Sequence, residues 1–352
     1  MSDSLQSIQS WLNQFSHPAL IEGWASEHGV VSLDQTGDTA IIEFPFQLNL
    51  LEQALDNWLI NNPLPALKTQ ISSVTKALNS KVPSNLAHVK NIIAVTSGKG
   101  GVGKSTTAAN LALAIAQNGG KVGVLDADIY GPSIPMMFGR RSAQMVVVDE
   151  KWMQPVDALG IQTQSIGYLM GDDEATVWRG PMASKALVQL LQETQWHDLD
   201  YLIIDMPPGT GDIQLTLAQQ IPLTAAIVVT TPQDIALADA SKGIAMFEKV
   251  EVPVLGIIEN MSYHECSHCG SKEHIFGTGG AEKLAKQKGM ALLGQIPLHV
   301  NVQQDVDKGF PSVLNPNSSD QAKHYLDLAE QIVSRLYWTG TAKPENIEFV
   351  SV

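Results

Sequence analysis

Cysteine is nearly missing from this sequence: two residues in 352, too few for a disulfide framework and in keeping with a reducing compartment. Positive charge is scarce as well. Lys and Arg number 22 against 36 Asp and Glu, a formal net charge of −14, and a field of that sign repels phosphate backbones and anionic headgroups. Neither a nucleic-acid nor a membrane partner is therefore expected. No run approaches the roughly 20 apolar residues of a bilayer span, and Met1 to Gln14 (MSDSLQSIQSWLNQ) has neither a basic start nor a continuous apolar stretch. A soluble, cytoplasmic protein is the expectation. No low-complexity block occurs, and a chain that is 44% hydrophobic and 16% charged can bury enough apolar surface to offset the entropy of ordering.

What is present divides the chain in two. In residues 1–77, Leu5, Ile8, Trp11, Leu12 and Phe15 recur at helical spacing. Val30-Val31 and Thr39 to Phe44 read as strands joined at the turn signal Asp34-Gln-Thr-Gly-Asp38, a second helix covers about Leu48 to Leu59, and a last strand lies near Leu67 to Val74. This is a small α+β domain with an α-β-β-α-β pattern, in which Trp11, Trp24 and Trp58 read as core. Residues 78–90 (LNSKVPSNLAHVK) read as a linker. From Asn91 the pattern changes to short apolar runs, Ile92 to Thr96, Val122 to Leu125, Tyr201 to Ile204, Ala225 to Val229 and Val254 to Ile258, separated by helical stretches that include Lys104 to Gln117, Ile235 to Val250 and Asp320 to Leu336. Near-continuous apolar strands alternating with helices mean an α/β domain with a mostly parallel sheet covered by helices on both faces. It is expected over 91–340, with 341–352 as a C-terminal tail.

The strand Ile92 to Thr96 runs into Gly98-Lys-Gly-Gly-Val-Gly103-Lys104-Ser105-Thr106 and then a strong helix, which is GxxxxGK[ST] in its strand, loop and helix context. Residues Gly98, Lys99, Gly100, Gly101, Val102, Gly103, Lys104, Ser105 and Thr106 would bind the nucleotide, because backbone N–H groups of such a loop converge on phosphate oxygens at a helix N-terminus. Lys104 supplies charge to the β- and γ-phosphates and Ser105 a hydroxyl for Mg²⁺. Asp205 ends the strand Tyr201 to Ile204, the Walker-B position for Mg²⁺. Asp126 and Asp128 end another strand; Asp128 is expected to orient the attacking water and Asp126 to support Mg²⁺, the alternative for one of them being a strand-end acid satisfied by local backbone. No Asn-Lys-x-Asp element occurs, which favours ATP over GTP.

Lys99, directly after the first glycine, makes Lys-Gly-Gly-Val-Gly-Lys-Ser resemble the deviant Walker A of P-loop ATPases that work as nucleotide-sandwich dimers. That resemblance implies a catalytic lysine reaching across the dimer to the partner's ATP. Asp126-Ala-Asp-Ile-Tyr-Gly-Pro-Ser-Ile-Pro-Met-Met-Phe-Gly139, Trp178-Arg-Gly-Pro-Met182, Asp205-Met-Pro-Pro-Gly-Thr-Gly-Asp212 and Glu259-Asn-Met-Ser-Tyr-His-Glu-Cys-Ser-His-Cys269 together look like the Mrp/ApbC iron-sulfur carrier branch of this class, over about Asn91 to Leu336. By that resemblance Asn260 contacts the adenine and Gly209 to Asp212 form the switch segment. The N-terminal domain is similar to the small domain preceding many of these ATPases, related to iron-sulfur assembly factors. Residues 1–90 contain no cysteine, so protein recognition is expected of it and cluster binding is not.

Cys266 and Cys269 lie in a polar stretch with His264, His268 and His274. Two thiolates half-ligate an iron-sulfur cluster, and a two-fold dimer would supply the other pair on its axis. Zinc held within one chain by both cysteines and two of the three histidines fits the spacing equally. A redox pair or an inert pair are the remaining readings, the former disfavoured because Gly270 and Ser271 give no helix start to depress a thiol pKa. The family resemblance puts a bridging [4Fe-4S] cluster first. It implies a slow, switch-like homodimeric ATPase that receives clusters from donors and passes them to apo iron-sulfur proteins. The rival is a partition or positioning ATPase with a structural zinc, which calls for a basic surface or a basic amphipathic C-terminal helix. Gly340 to Val352 contains neither. A two-cysteine reductase of the nitrogenase type would need ligands on two separated segments.

Overall fold

The computed structural model describes residues 2–64, 67–82, 86, 88–169, 180–266, 269–341 and 343. It divides into two compact units, residues 1–79 with 334–352, and residues 80–333. Chain order gives α1 (Ser2–Leu12), β1 (Val31–Leu33), β2 (Thr39–Phe44), α2 (Asn49–Asn61), β3 (Lys68–Ser73), β4 (Val89–Thr96), α3 (Lys104–Gln117), β5 (Val122–Asp126), α4 (Ile134–Met137), β6 (Val146–Val148), β7 (Trp152–Gln154), β8 (Val156–Ala158) and β9 (Ile161–Ser165). There follow α5 (Gly180–Glu193), β10 (Leu199–Asp205), α6 (Asp212–Gln220), β11 (Ala225–Thr230), α7 (Asp234–Lys249), β12 (Val254–Glu265), β13 (Lys272–Glu273), α8 (Gly280–Lys288), β14 (Ala291–Leu298), α9 (Val300–Asp307) and α10 (Ser319–Thr339).

In the smaller unit β1 pairs antiparallel with β2 and β2 parallel with β3. The β1–β2 turn is set by Asp34, whose Oδ1 accepts from the backbone N–H groups of Gly37, Asp38 and Thr39 at 2.9, 3.1 and 3.2 Å, the behaviour that makes Asp a turn residue. Leu12, Trp24, Phe44, Phe46, Leu51 and Leu55 are fully buried. Trp24 is therefore core, whereas Trp11 and Trp58 are half-buried with ring centroids 5.4 Å apart. Residues 334–340, expected within the ATPase domain, belong to this unit. The Phe46 ring packs 6.0 Å from Tyr337 and 5.8 Å from Trp338, and the Trp338 indole N–H donates to the Ala19 carbonyl at 2.9 Å. Leu78 and Asn79, read as linker, also fall here, since Asn79 N–H donates to the Thr341 carbonyl at 2.8 Å. Residues 83–85, 87 and 344–352 lie outside the described residues.

The larger unit is built on one sheet in the order β14-β12-β11-β4-β10-β5-β9-β8, with β13 pairing the far end of β12. The pairings from β14 through to β9 are parallel; β8 and β13 are antiparallel to their neighbours. Strands β5, β10 and β11 are buried along their whole length, which is why they read as unbroken apolar runs. The mostly parallel α/β architecture expected from the sequence is the one found. Strand β12 extends seven residues past the expected Ile258 because its outer half pairs with β14 and β13. Helix α3 is buried nearly all round; Asn110 Oδ1 accepts from Val313 N–H and Gln117 Nε2 donates to the Val313 carbonyl, both at 3.1 Å, so the segment before residue 314 covers its outer face.

Phe46→Ala removes the ring on which Tyr337 and Trp338 pack, and a cost of about 3–5 kcal/mol to the smaller unit is expected, read as a lower urea midpoint of tryptophan fluorescence. An unchanged midpoint would contradict the assignment of residues 334–340 to this core.

Candidate functional site

Residues 97–103 make the whole connection from β4 to α3, and two glycines show why other residues do not fit it. A Cβ on Gly98 would lie 2.2 Å from the Asp239 carbonyl carbon and 2.6 Å from Ala240 N on α7, so the loop can pass the helix only as glycine. Gly103 has φ +80° and caps α3, and a Cβ there would meet the Asn260 amide nitrogen at 2.1 Å. Asn260 Nδ2 donates to the Val102 carbonyl at 2.8 Å. The residue expected at the adenine is thus seated against the phosphate loop itself.

Lys104, 5% exposed, points its ammonium back to the strand-end carboxylate of Asp205, which is fully buried, and to the Ser105 hydroxyl at 3.2 Å. The other Asp205 oxygen, Oδ2, is buried without a hydrogen-bond partner among the described residues. An unsatisfied buried carboxylate oxygen, with the Ser105 hydroxyl on the same lysine, fits a hard, oxygen-seeking cation such as Mg²⁺ or its bound water.

Asp126 and Asp128 prove unlike. Asp126 Oδ1 accepts from Asp128 N–H at 3.1 Å, and Oδ2 accepts from Ser133 N–H, Ile134 N–H and Ser165 Oγ at 3.0, 3.1 and 3.1 Å. Burial pushes its carboxyl above the ordinary carboxylate range, and the neighbouring Asp205 charge adds to this. The acid expected to support Mg²⁺ is therefore engaged in holding the 126–134 turn, which places Asp128. Asp128 is half-buried; burial raises its carboxyl while the Lys104 charge opposes that. Lys99 is half-buried and has no carboxylate partner among the described residues; its carbonyl accepts from Ser97 Oγ at 2.9 Å.

The segment after β10 is stitched to the loop strand. Met206 N–H donates to the Val95 carbonyl and Gly209 N–H to the Ser97 carbonyl, both at 3.0 Å. The buried Gln214 amide donates to Thr96 Oγ1 and, at 3.2 Å, to the Pro207 carbonyl. Gln214 carries no signal in the sequence. Glu259 does: like Asp126 and Asp205 it is an acid closing an apolar run of the sequence, and it is fully buried, though β12 continues past it. Trp178 and Arg179 of the Trp178 to Met182 motif lie outside the described residues.

Cys266 and Cys269 occupy the turn between β12 and β13. His264 pairs with Glu273 and Glu265 with Lys272, and the turn closes through Cys266 N–H to the Ser271 carbonyl (3.0 Å) and Gly270 N–H to the Cys266 carbonyl (2.8 Å). Cys266 is half-buried and Cys269 exposed. The Cys269 thiol lies 3.2 Å from Ser271 Oγ, and the Ser271 hydroxyl, then its backbone, then Cys266 lower its pKa. The element after the pair is a strand, not a helix. His274 Nδ1–H donates to the Ser262 carbonyl at 3.2 Å, with the ring against Tyr263. Among the described residues no group of three or more His, Cys, Asp or Glu is arranged to hold a metal ion; His268 lies outside them.

A phosphate loop at the carboxyl edge of a mostly parallel sheet, with its lysine on a strand-end aspartate, defines a P-loop NTPase. Residues 88–333 match the ParA-type family of NUBPL iron-transfer P-loop NTPases, and the chain belongs to that family. It is 52% identical to the iron-sulfur cluster carrier protein of Escherichia coli K12 (98% of this chain, 96% of the relative). It is 48% identical to the iron-sulfur cluster transfer protein NUBPL of Mus musculus (76% and 83%). Among solved structures, an Archaeoglobus fulgidus nucleotide-binding protein in complex with ADP is 41% identical at TM-score 0.57, covering 64% of this chain and 88% of that one. The Pyrococcus furiosus cell-division ATPase MinD, 22% identical at TM-score 0.52 (69% and 98%), shares the fold.

Because Cys269 is exposed and its pKa lowered, iodoacetamide at neutral pH is expected to alkylate it ahead of the half-buried Cys266, with peptide mass analysis reading the order. Equal labelling would show that the turn does not activate Cys269.

Proposed function

We propose that this protein is a slow, switch-like ATPase that carries iron-sulfur clusters: a homodimer holds a [4Fe-4S] cluster between Cys266 and Cys269 of its two chains and passes it from donors to apo-proteins in the cytoplasm. The observation carrying this is the cysteine turn, which presents two accessible thiols and gathers no third ligand among the described residues. Two thiolates per chain leave a four-ligand cluster half held, and a two-fold axis completes it. The names borne by the bacterial and mouse relatives, cluster carrier and cluster transfer proteins, support the same cargo. A cluster held in exposed turns is accessible to acceptor thiolates, which suits transfer better than permanent electron transport.

For the nucleotide, residues 98–106 would cradle the phosphates with backbone N–H groups, and Lys104 would neutralise charge on the β- and γ-oxygens. Mg²⁺, when bound, neutralises phosphate oxygens further, with Ser105 and Asp205 as the fitting residues. Asp128, fixed by the Asp126 turn, would orient the water whose oxygen attacks the γ-phosphorus as the bond to ADP breaks. Lys99 has no carboxylate to hold it among the described residues and would serve the partner's ATP. Asn260, against Val102, would meet the adenine side of the nucleotide.

Two experiments test this. Lys104→Ala should lower ATP hydrolysis by about 100-fold or more while cysteine-dependent cluster binding is at least partly retained; a wild-type rate would sink the assignment. Lys99→Ala should also impair hydrolysis but spare more ATP binding, and equal loss of binding in both would contradict action across the dimer. Anaerobic reconstitution with iron and sulfide should give about four irons per dimer, absorption near about 400 nm, and transfer to an apo-acceptor. Cys266→Ser or Cys269→Ser should abolish all three and leave hydrolysis measurable. One zinc per monomer, lost when His264, His268 and His274 are replaced together, with no uptake of iron and sulfide, would overturn the carrier reading.

A further inference from the structure

The phosphate loop and the cysteine turn are served by the same strand. Asn260 of β12 donates to Val102 in the loop, and Cys266 follows six residues later. Between them the strand is not regular: Met261 has φ +55°, costly for a side chain of its size, and the pairing of β12 with β14 shifts register between Asn260 and His264. Something must hold that bend.

Ser262, 1% exposed, is bonded on both sides of it. Its hydroxyl donates to Glu259 Oε1 at 2.6 Å. Glu259 is itself fixed, accepting from Gln295 Nε2 of β14 at 2.8 Å and, through Oε2, from Ala281 N–H in the first turn of α8 at 3.1 Å. The carboxylate adjoining the loop-facing asparagine thus anchors to a second strand and a helix. In the other direction the Ser262 carbonyl accepts from His274 Nδ1–H at 3.2 Å. His274 directly follows Lys272 and Glu273, the two residues that pair with Glu265 and His264 to form the stem of the cysteine turn. Lys272 is seated there as well, its ammonium 4.5 Å from the centre of the Tyr263 ring.

We propose that Ser262 is a positioning residue that couples the nucleotide loop to the cysteine turn, its hydroxyl locked to the Glu259–Asn260 side and its carbonyl to the His274 side. A displacement of Val102 on nucleotide exchange moves Asn260, and the bend braced by Ser262 transmits the movement to the stem that presents Cys266 and Cys269. The inference rests on the reading of this site as a nucleotide-driven carrier and adds how the two halves communicate. By linkage the effect is reciprocal: whatever nucleotide does to the cysteines, cargo on the cysteines does to nucleotide affinity.

The test uses the full-length, metal-free protein and the rate at which a chromogenic disulfide reagent titrates its two thiols. Rates are taken without nucleotide, with ADP and with a non-hydrolysable ATP analogue, each at saturation determined by direct titration for every variant. In the wild type the rates with ADP and with the ATP analogue should differ by about threefold or more. Ser262→Ala should bring that ratio to within about 1.5-fold of unity while both nucleotides still bind, and Ser262→Thr, which keeps the hydroxyl, should restore it. His274→Ala, at an exposed position, should lose the response in the same way and guards against a folding defect in the buried variants. A wild type with equal rates in the two nucleotides, or alanine variants that keep the full difference, would overturn the inference. Thiols that respond through Ser262 in a protein refusing iron and sulfide would support it and sink the carrier reading instead.

Discussion

The interaction on which the rest depends is the buried pair of Lys104 and Asp205. Two opposite charges lie almost wholly out of water at the junction of α3 and β10, where desolvation penalises each and only their mutual contact offsets it. Losing one partner of such a pair costs about 3–5 kcal/mol, because the other is left as an uncompensated buried charge. Burial of the whole of β10 between β4 and β5 fixes Asp205, and the glycine loop fixes Lys104. A phosphate entering the loop therefore meets a lysine that already has an anionic partner, and a carboxylate with one oxygen still unsatisfied. A ligand that brings negative charge to the lysine and positive charge to the aspartate together suits this pair, as the proposed nucleotide with magnesium would.

Around that pair the sheet distributes its ties unevenly. On one side Met206, Gly209 and Gln214 bind the segment after Asp205 to Val95, Ser97 and Thr96. On the other, Asn260 reaches Val102. The loop is gripped from the β10 side and from the β12 side, and the second of these strands continues outward to the cysteines. A strand with one anchored bend suits a mechanical part, since packed elements move between discrete arrangements and do not deform continuously.

The loop's strand-to-helix setting and the strand-end place of Asp205 are legible because both are local: a strand, seven loop residues and a helix are contiguous, and Asp205 closes an unbroken apolar run. The parallel sheet was legible for the same reason. Asp126 was legible as a strand-end acid, but the donors that occupy it come from Ser133, Ile134 and Ser165, up to 39 residues away, and no spacing announces them. His274 is similar: the carbonyl that its Nδ1–H meets lies twelve residues earlier, and no spacing announces it. The extent of the smaller unit is hidden too, because residues 334–340 continue a regular helical pattern and the residues they pack on, Phe46 and Ala19 among them, are distant in sequence.

The cysteine turn connects stability to exchange. A thiol whose pKa is lowered by a neighbouring hydroxyl and backbone is more often a thiolate at neutral pH, and so a better-populated ligand. The same lowering makes it a weaker base and a better leaving group. On the carrier reading these effects act in opposite directions on a cluster: Cys269 favours its capture and, once an acceptor thiolate attacks, its departure. Cys266, half-buried at the base of the turn, directly follows the strand that reaches the phosphate loop. The pair is asymmetric, Cys269 exposed with its thiol against Ser271 and Cys266 half-buried directly after β12, so on the proposed coupling a shift along the strand reaches Cys266 first and leaves Cys269 as the more accessible of the two.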